Sequence, residues 1–134
     1  MQLQTAGLLL IRDRKLLLAF SKRKRCYYLP GGKLHPGESS REALARECAE
    51  ELKLQILPEE LEYHSHVRAP AFGEEPGMIM EQDCYLLPRS VAPVAAAEIG
   101  DLKYFTLEEY LAGPVQAPGA VMILQQLKNE NRID

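Results

Sequence analysis

Glu47, Glu50 and Glu51 fall within five positions of the run "GESSREALARECAEELKL", residues 37 to 54. At roughly 100° per residue, a helix through this run puts Leu44, Ala45, Cys48, Ala49 and Leu52 on one side and the three glutamates on an adjoining stripe. Glu47 is three positions from Glu50 and four from Glu51. At those spacings like charges cost about 0.2–0.5 kcal/mol per pair even in water. Partial burial raises the cost, because charges about 4 Å apart repel by about 1 kcal/mol in water and about 4 at an effective dielectric of 20. The stripe also lies toward the helix C-terminus, where the backbone dipole disfavours anions. Two readings account for it. Either this is an exposed acidic face paired with Arg41, Arg46 and Lys53, or a divalent cation completes it. Hard carboxylate oxygens suit Mg2+ or Mn2+, which keep positions open for water and phosphate.

The elements that would carry these side chains follow from local signals. Ser39 or Ser40 can cap the helix, Glu42 occupies its first turn, and no Gly or Pro interrupts the chain from there to Leu54. Upstream, Pro30, Gly31 and Gly32 in "CYYLPGG" stop regular structure and allow a sharp turn. Residues 3–11 and 15–20 are rich in Leu, Ile and Phe around a polar "RDRK", which predicts a hairpin or two adjacent strands. Residues 54–57 predict another strand, ended by Pro58. Residues 61–70 and 77–87 predict strands on either side of a Gly- and Pro-containing loop, 71–77. Residues 91–101 read as loop, "LKYF" (102–105) as a short strand, 106–111 as a brief helix and 117–132 as an amphipathic helix. Strands interleaved with two good helices predict an α/β fold with a mixed sheet covered on both faces, in a single domain over 1–134.

Composition narrows the function classes. With 46% apolar and 26% charged residues, the chain reads as globular. "LLLI" and "LLLAF" are each too short to cross a bilayer, no signal-peptide pattern opens the chain, and a cytoplasmic location is expected. Cys26, Cys48 and Cys84 are odd in number and show no CxxC spacing, so they read as reduced thiols that pack. The net charge of −3 conceals an asymmetry: residues 1–33 hold eight Lys or Arg against only Asp13. A basic first quarter and an acidic remainder suit an anionic substrate held between cationic side chains and a protein-bound metal, or else mark solvated loops. The basic residues form one short loop on an acidic chain, which argues against a stable nucleic-acid complex.

From Gly32 to Leu54 the sequence resembles the signature of the Nudix hydrolases, G-x5-E-x7-R-E-U-x-E-E-x-G-U with U a bulky apolar residue. Gly32, Glu38, Arg46, Glu47, Glu50, Glu51 and Leu54 fall on matching positions. The resemblance implies a Nudix-type α/β/α sandwich, with a mixed sheet between helices, that hydrolyses a nucleoside diphosphate linked to another group with Mg2+, or Mn2+ in its place. Carried over by position, it implies that Glu47, Glu50 and Glu51 bind metal together with the Gly32 carbonyl. Glu38 would orient or assist the site, and Arg46 would hold a carboxylate through its planar fork. Two positions depart from the pattern. Lys53 replaces the last glycine, which predicts an altered exit turn from the helix, and Cys48 replaces an aliphatic residue but remains a small hydrophobe.

The general base stays open among Glu50, Glu98 and the loop residues Glu74 and Glu75. Glu98, in "EIGDLKYF", resembles a late Nudix element in which a Glu precedes an aromatic pair. Tyr27, Tyr28 and Phe72 can stack on a base or pack in the core, and Lys22, Arg23, Lys24 and Arg25 can contact phosphates or remain in a solvated turn. The short chain resembles members that cleave (deoxy)nucleoside triphosphates, including oxidised ones, to the monophosphate and pyrophosphate. Pro70 in "RAPAF" resembles a feature of the ADP-ribose hydrolases, the alternative substrate class. A nucleotide sensor without turnover is a third reading, set against the presence of every glutamate of the signature. The expected partner is a small nucleotide, and pairing of two chains is left open.

Overall fold

A computed structural model describes residues 1–134. In chain order the strands are β1 (Gln2–Leu9), β2 (Ile11–Arg12), β3 (Lys15–Ser21), β4 (Cys26–Tyr28) and β5 (Gly31–Lys33). Helix α1 (Ser40–Leu52) follows, then β6 (Glu62–Pro70), β7 (Ile79–Leu86), β8 (Ile99–Phe105), α2 (Leu107–Ala112) and α3 (Pro118–Asn129). The leucine runs of β1 and β3 lack polar alternation because both strands are buried on two faces. Ala6 and Leu8 of β1 and Leu17 of β3 face one core, which α1 closes with Leu44, Cys48 and Leu52. Leu9, Leu16 and Leu18 face the other, closed by Ile123, Leu124 and Leu127 of α3. The strands thus lie between helices, an α/β/α sandwich.

The strands form two sheets rather than one. The first has the order β5-β1-β7-β6, with β1 and β7 parallel and the other pairs antiparallel. In the second, β3 pairs antiparallel with β2, β4 and β8. Only the tip of the expected N-terminal hairpin forms, where Ile11 and Arg12 pair with Leu16 and Lys15. The rest of β1 belongs to the other sheet. The strand expected at 54–57 is absent: Leu54 and Ile56 are buried in the core beneath α1, no neighbouring strand pairs with them, and Pro58–Glu60 makes a single 3-10 turn. Strand β8 begins at Ile99, earlier than the expected "LKYF" segment.

Helix α1 starts at a capping box. The Ser39 hydroxyl accepts the Glu42 N–H at 3.1 Å and the Glu42 carboxylate accepts the Ser39 N–H at 2.9 Å. Its buried side chains are Ala43, Leu44, Cys48 and Leu52, while Ala45 and Ala49 are only half-buried. At the other end Lys53 itself takes the left-handed conformation (φ 54°) and donates its N–H to the Cys48 carbonyl. The exit turn is therefore the ordinary left-handed one, with lysine in a conformation glycine adopts more cheaply. All three cysteines are buried and free, and no helix is long and apolar enough to cross a membrane.

Candidate active site

A cleft of about 360 Å³ opens where the two sheets, α1 and the start of α3 meet. One wall comes from the first sheet, with Thr5, Gly32 and Gln82 among its residues. The opposite wall comes from the second, with Ser21 and Tyr28 and the β3–β4 turn that carries Arg23 and Lys24. Helix α1 lays Glu47 and Glu51 on the floor, and Glu98 enters from the segment before β8.

Two glycines of β5 permit close approaches, Gly31 to β1 and Gly32 to α1. Gly31 has φ +138°, and a Cβ there would lie 2.0 Å from the Ala6 carbonyl oxygen, so no other residue fits. A Cβ on Gly32 would lie 2.7 Å from the Glu47 carboxylate carbon. The backbone of β5 thus sits directly against the acidic side chain.

Arg46 organises the outer part of the site. Its Nε donates to Glu38 Oε2 at 2.8 Å and Nη2 to Glu38 Oε1 at 3.0 Å, a two-pronged pairing, while Nη2 also reaches the Lys33 carbonyl at 3.1 Å. Nη1 donates to Glu47 Oε1 at 2.7 Å and lies 3.7 Å from Glu50 Oε2. Glu38 also accepts the His35 N–H at 2.7 Å. The guanidinium holds the Glu38 carboxyl down at about 2, and the carboxylates raise Arg46 in return. Glu51 differs: burial, then the neighbouring Glu47 charge, push its carboxyl up to about 7, although the Gly31 amide offsets part of the effect. The cleft therefore carries a carboxylate whose ionisation calls for added positive charge. Its donors there are carboxylate oxygens, the chemistry of a hard divalent cation. They are not gathered into a ready-made cage: Glu47 is held by Arg46, and Glu50 is 56% exposed.

The expected site residues separate accordingly. Gly32, Glu47, Glu51, Glu98, Tyr28 and Phe72 all line the cleft. Glu38, Arg46 and Glu50 adjoin it through the Arg46 network. Arg25 does not reach it: a left-handed backbone (φ 54°) at the end of the β3–β4 turn leaves its side chain in solvent. Tyr27 is also elsewhere, stacked edge-on against Phe20 and Phe105 with centroids 5.1 Å away in both cases. Glu74 is occupied as a counter-ion, 2.7 Å from Lys24, 3.7 Å from Lys33 and 4.0 Å from Arg23, and Glu75 is exposed. Glu98 Oε1 accepts the Arg23 N–H and the Ser21 hydroxyl, the latter at 3.3 Å. Lys33 and Gln82 line the cleft although sequence reasoning did not single them out. Their signals were slight: a lysine following the Gly pair, and a glutamine in the apolar register between Met80 and Cys84.

The model of the NUDIX domain matches residues 1–126. Among solved structures, the solution structure of the E. coli ORF135 protein is 27% identical, with a TM-score of 0.73, covering 99% of this chain and 95% of that one. A MutT NUDIX hydrolase from Burkholderia pseudomallei is 23% identical with a TM-score of 0.77, covering 95% and 98%. The NUDIX domain of Shewanella oneidensis NrtR, in complex with ADP ribose, is 21% identical with a TM-score of 0.72, covering 98% and 89%. Among curated proteins none matches.

Proposed function

The chain belongs to the NUDIX family and is a pyrophosphohydrolase of that family; from this premise we propose that it hydrolyses a (deoxy)nucleoside triphosphate, oxidised forms included, to the monophosphate and pyrophosphate with Mg2+. The observation that carries the reading is the meeting of opposite charges in one cleft. Glu47 and Glu51 lie on its floor while Arg23, Lys24 and Lys33 stand around its mouth. A polyphosphate needs cations along its length, and the paired glutamates need one of their own.

Glu47 and Glu51, with Glu50 and the Gly32 carbonyl, would hold the metal. Bound there, it would neutralise phosphate charge and lower the pKa of a coordinated water. Arg46 fixes Glu47 and is itself fixed by Glu38, so the pair positions a ligand without touching substrate. Glu98 is the favoured general base. Its Oε1 is anchored by Arg23 and Ser21, which leaves Oε2 to take a proton from the attacking water. Glu74 is disfavoured for that role because its charge is spent on Lys24, Lys33 and Arg23. Those same cations would turn to the phosphates when substrate enters. ADP-ribose is the second substrate reading, favoured by Pro70 on the cleft wall.

The test is a panel of NTPs, oxidised dGTP, ADP-ribose, NADH and dinucleoside polyphosphates with Mg2+ and with EDTA, products resolved as pyrophosphate, orthophosphate or AMP. Release of pyrophosphate from a triphosphate, stopped by EDTA, is the expected result. AMP from ADP-ribose alone would transfer the assignment to the second class. Binding with no turnover of any compound would make the protein a sensor.

A further inference from the structure

Beside its charged residues, the cleft is lined by the apolar Leu3, Leu29, Phe72 and Met80. Of the three buried polar side chains that line the cleft, Thr5 donates to the Glu81 carbonyl and Ser21 to Glu98, which leaves Gln82. Gln82, on β7, is only 7% exposed and lines the cleft, and the protein's hydrogen bonds engage its backbone but not its carboxamide. With no partner in the protein, the carboxamide is left to pair with water or a ligand in the cleft. Its position is prepared from below. A Cβ on Gly7 would lie 3.0 Å from both Cδ and Nε2 of Gln82 and 2.9 Å from Leu29 Cδ1. The missing side chain at Gly7 is therefore the space in which the carboxamide rests.

The start of α3 adds to it. Its N-cap residue, Ala117, offers no side-chain cap, and the first intrahelical amide bond is that of Val121 to the Ala117 carbonyl, at 3.1 Å. The N–H groups of Gly119 and Ala120 before it have no acceptor within the protein, and both residues line the same cleft. The cleft lining thus includes one amide that donates and accepts, and two residues whose N–H groups are further donors.

Resting on the nucleotide reading above, we infer that Gln82 is the base-discriminating residue of this cleft. Its carboxamide, with the α3 amides, selects a nucleobase that carries an exocyclic carbonyl. A glutamine alone would match the donor and acceptor of adenine equally well. The two extra donors tip the balance toward bases rich in acceptors, namely guanine, its oxidised form and the pyrimidines. Apolar neighbours sharpen the choice, because a wrong edge leaves a desolvated amide unpaired.

The test measures binding of AMP, GMP, CMP and UMP by calorimetry in EDTA, and kcat/KM for the four NTPs with Mg2+. The proteins are the wild type, Gln82→Met, Gln82→Glu and Gly7→Ala. In the wild type adenine should be the weakest base, by about tenfold or more relative to the best. Gln82→Met should flatten the ranking to within about threefold, chiefly through KM. Gly7→Ala, which crowds the amide, should flatten it too, and the near-isosteric Gln82→Glu, which loses the donor, should reorder it. A flat wild-type ranking, an adenine preference, or a ranking that folded Gln82 variants preserve would overturn the inference. The two readings fail separately. A Gln82-dependent ranking of monophosphates in a protein that cleaves no triphosphate removes only the assigned reaction, whereas triphosphate cleavage indifferent to Gln82 removes only this inference. Absence of both binding and cleavage overturns both.

Discussion

Removing divalent metal from the protein and raising the pH should destabilise it through one side chain, Glu51. Its carboxyl stands at about 7 in the folded chain against an ordinary 4.5. Between those values the folded chain keeps a proton that the unfolded chain has released. Stability therefore falls as pH rises through this window and levels off above about 7. The full difference corresponds to about 3 kcal/mol, and partial access of water to the carboxylate brings the expected loss nearer to about 2 kcal/mol. For a chain of this size that is a fall in Tm of roughly 5–10 °C. The assay is scanning calorimetry in EDTA at pH 5, 6, 7 and 8, comparing wild type with Glu51→Gln, whose neutral amide cannot ionise. Other groups titrate in this range, among them His66, raised by Asp83 and Glu81, but they are common to both proteins and cancel in the difference. The difference should grow with pH and shrink when Mg2+ is added to the wild type. Parallel pH profiles for the two proteins would refute the electrostatic reasoning.

The two glycines of β5 should fail differently. Gly31→Ala forces a Cβ onto the Ala6 carbonyl at a left-handed φ and should cost on the order of 3 kcal/mol or more in denaturant unfolding. Gly32→Ala meets only the end of the Glu47 side chain, so stability should change by less than about 1 kcal/mol while kcat/KM falls at least about tenfold. Arg46→Lys loses the two-pronged grip on Glu38 and should weaken Mg2+ affinity by about 10- to 100-fold in calorimetric titration, with folding largely retained. Lys53→Gly relieves the left-handed strain at the end of α1 and should raise stability by roughly 0.5–1 kcal/mol without altering turnover.

What could be read from the residues alone depended on how local the cause was. The start of α1 was legible because Ser39 and Glu42 satisfy each other's backbone within one turn. The crowding of Glu47, Glu50 and Glu51 was visible as a helical stripe. The partners of β1 were not legible, since a strand buried on both faces has no alternation to give its register, and its neighbours β5 and β7 come later in the chain. Leu54 and Ile56 have the residue types of a strand but meet no open sheet edge, which only the assembled fold decides. In the cleft, the difference between Glu51, half-buried and short of positive charge, and Glu50, turned outward, depends on how far α1 rotates toward Gly32. Arg25 and Arg23 look interchangeable in "SKRKR", and the handedness of one turn residue separates them. Gln82 acquires meaning only once Gly7 is brought beneath it.

The facing walls of the cleft belong to different sheets, so no ladder of backbone hydrogen bonds sets the gap between them. Its breadth rests instead on leucines packed below, Leu9, Leu16 and Leu18 among them. Trading one of these for a residue a methylene larger or smaller would splay or narrow the entrance and leave every charged group in place. The width of this cleft can therefore drift through silent-looking changes in the oily interior, well away from the charged residues that line it.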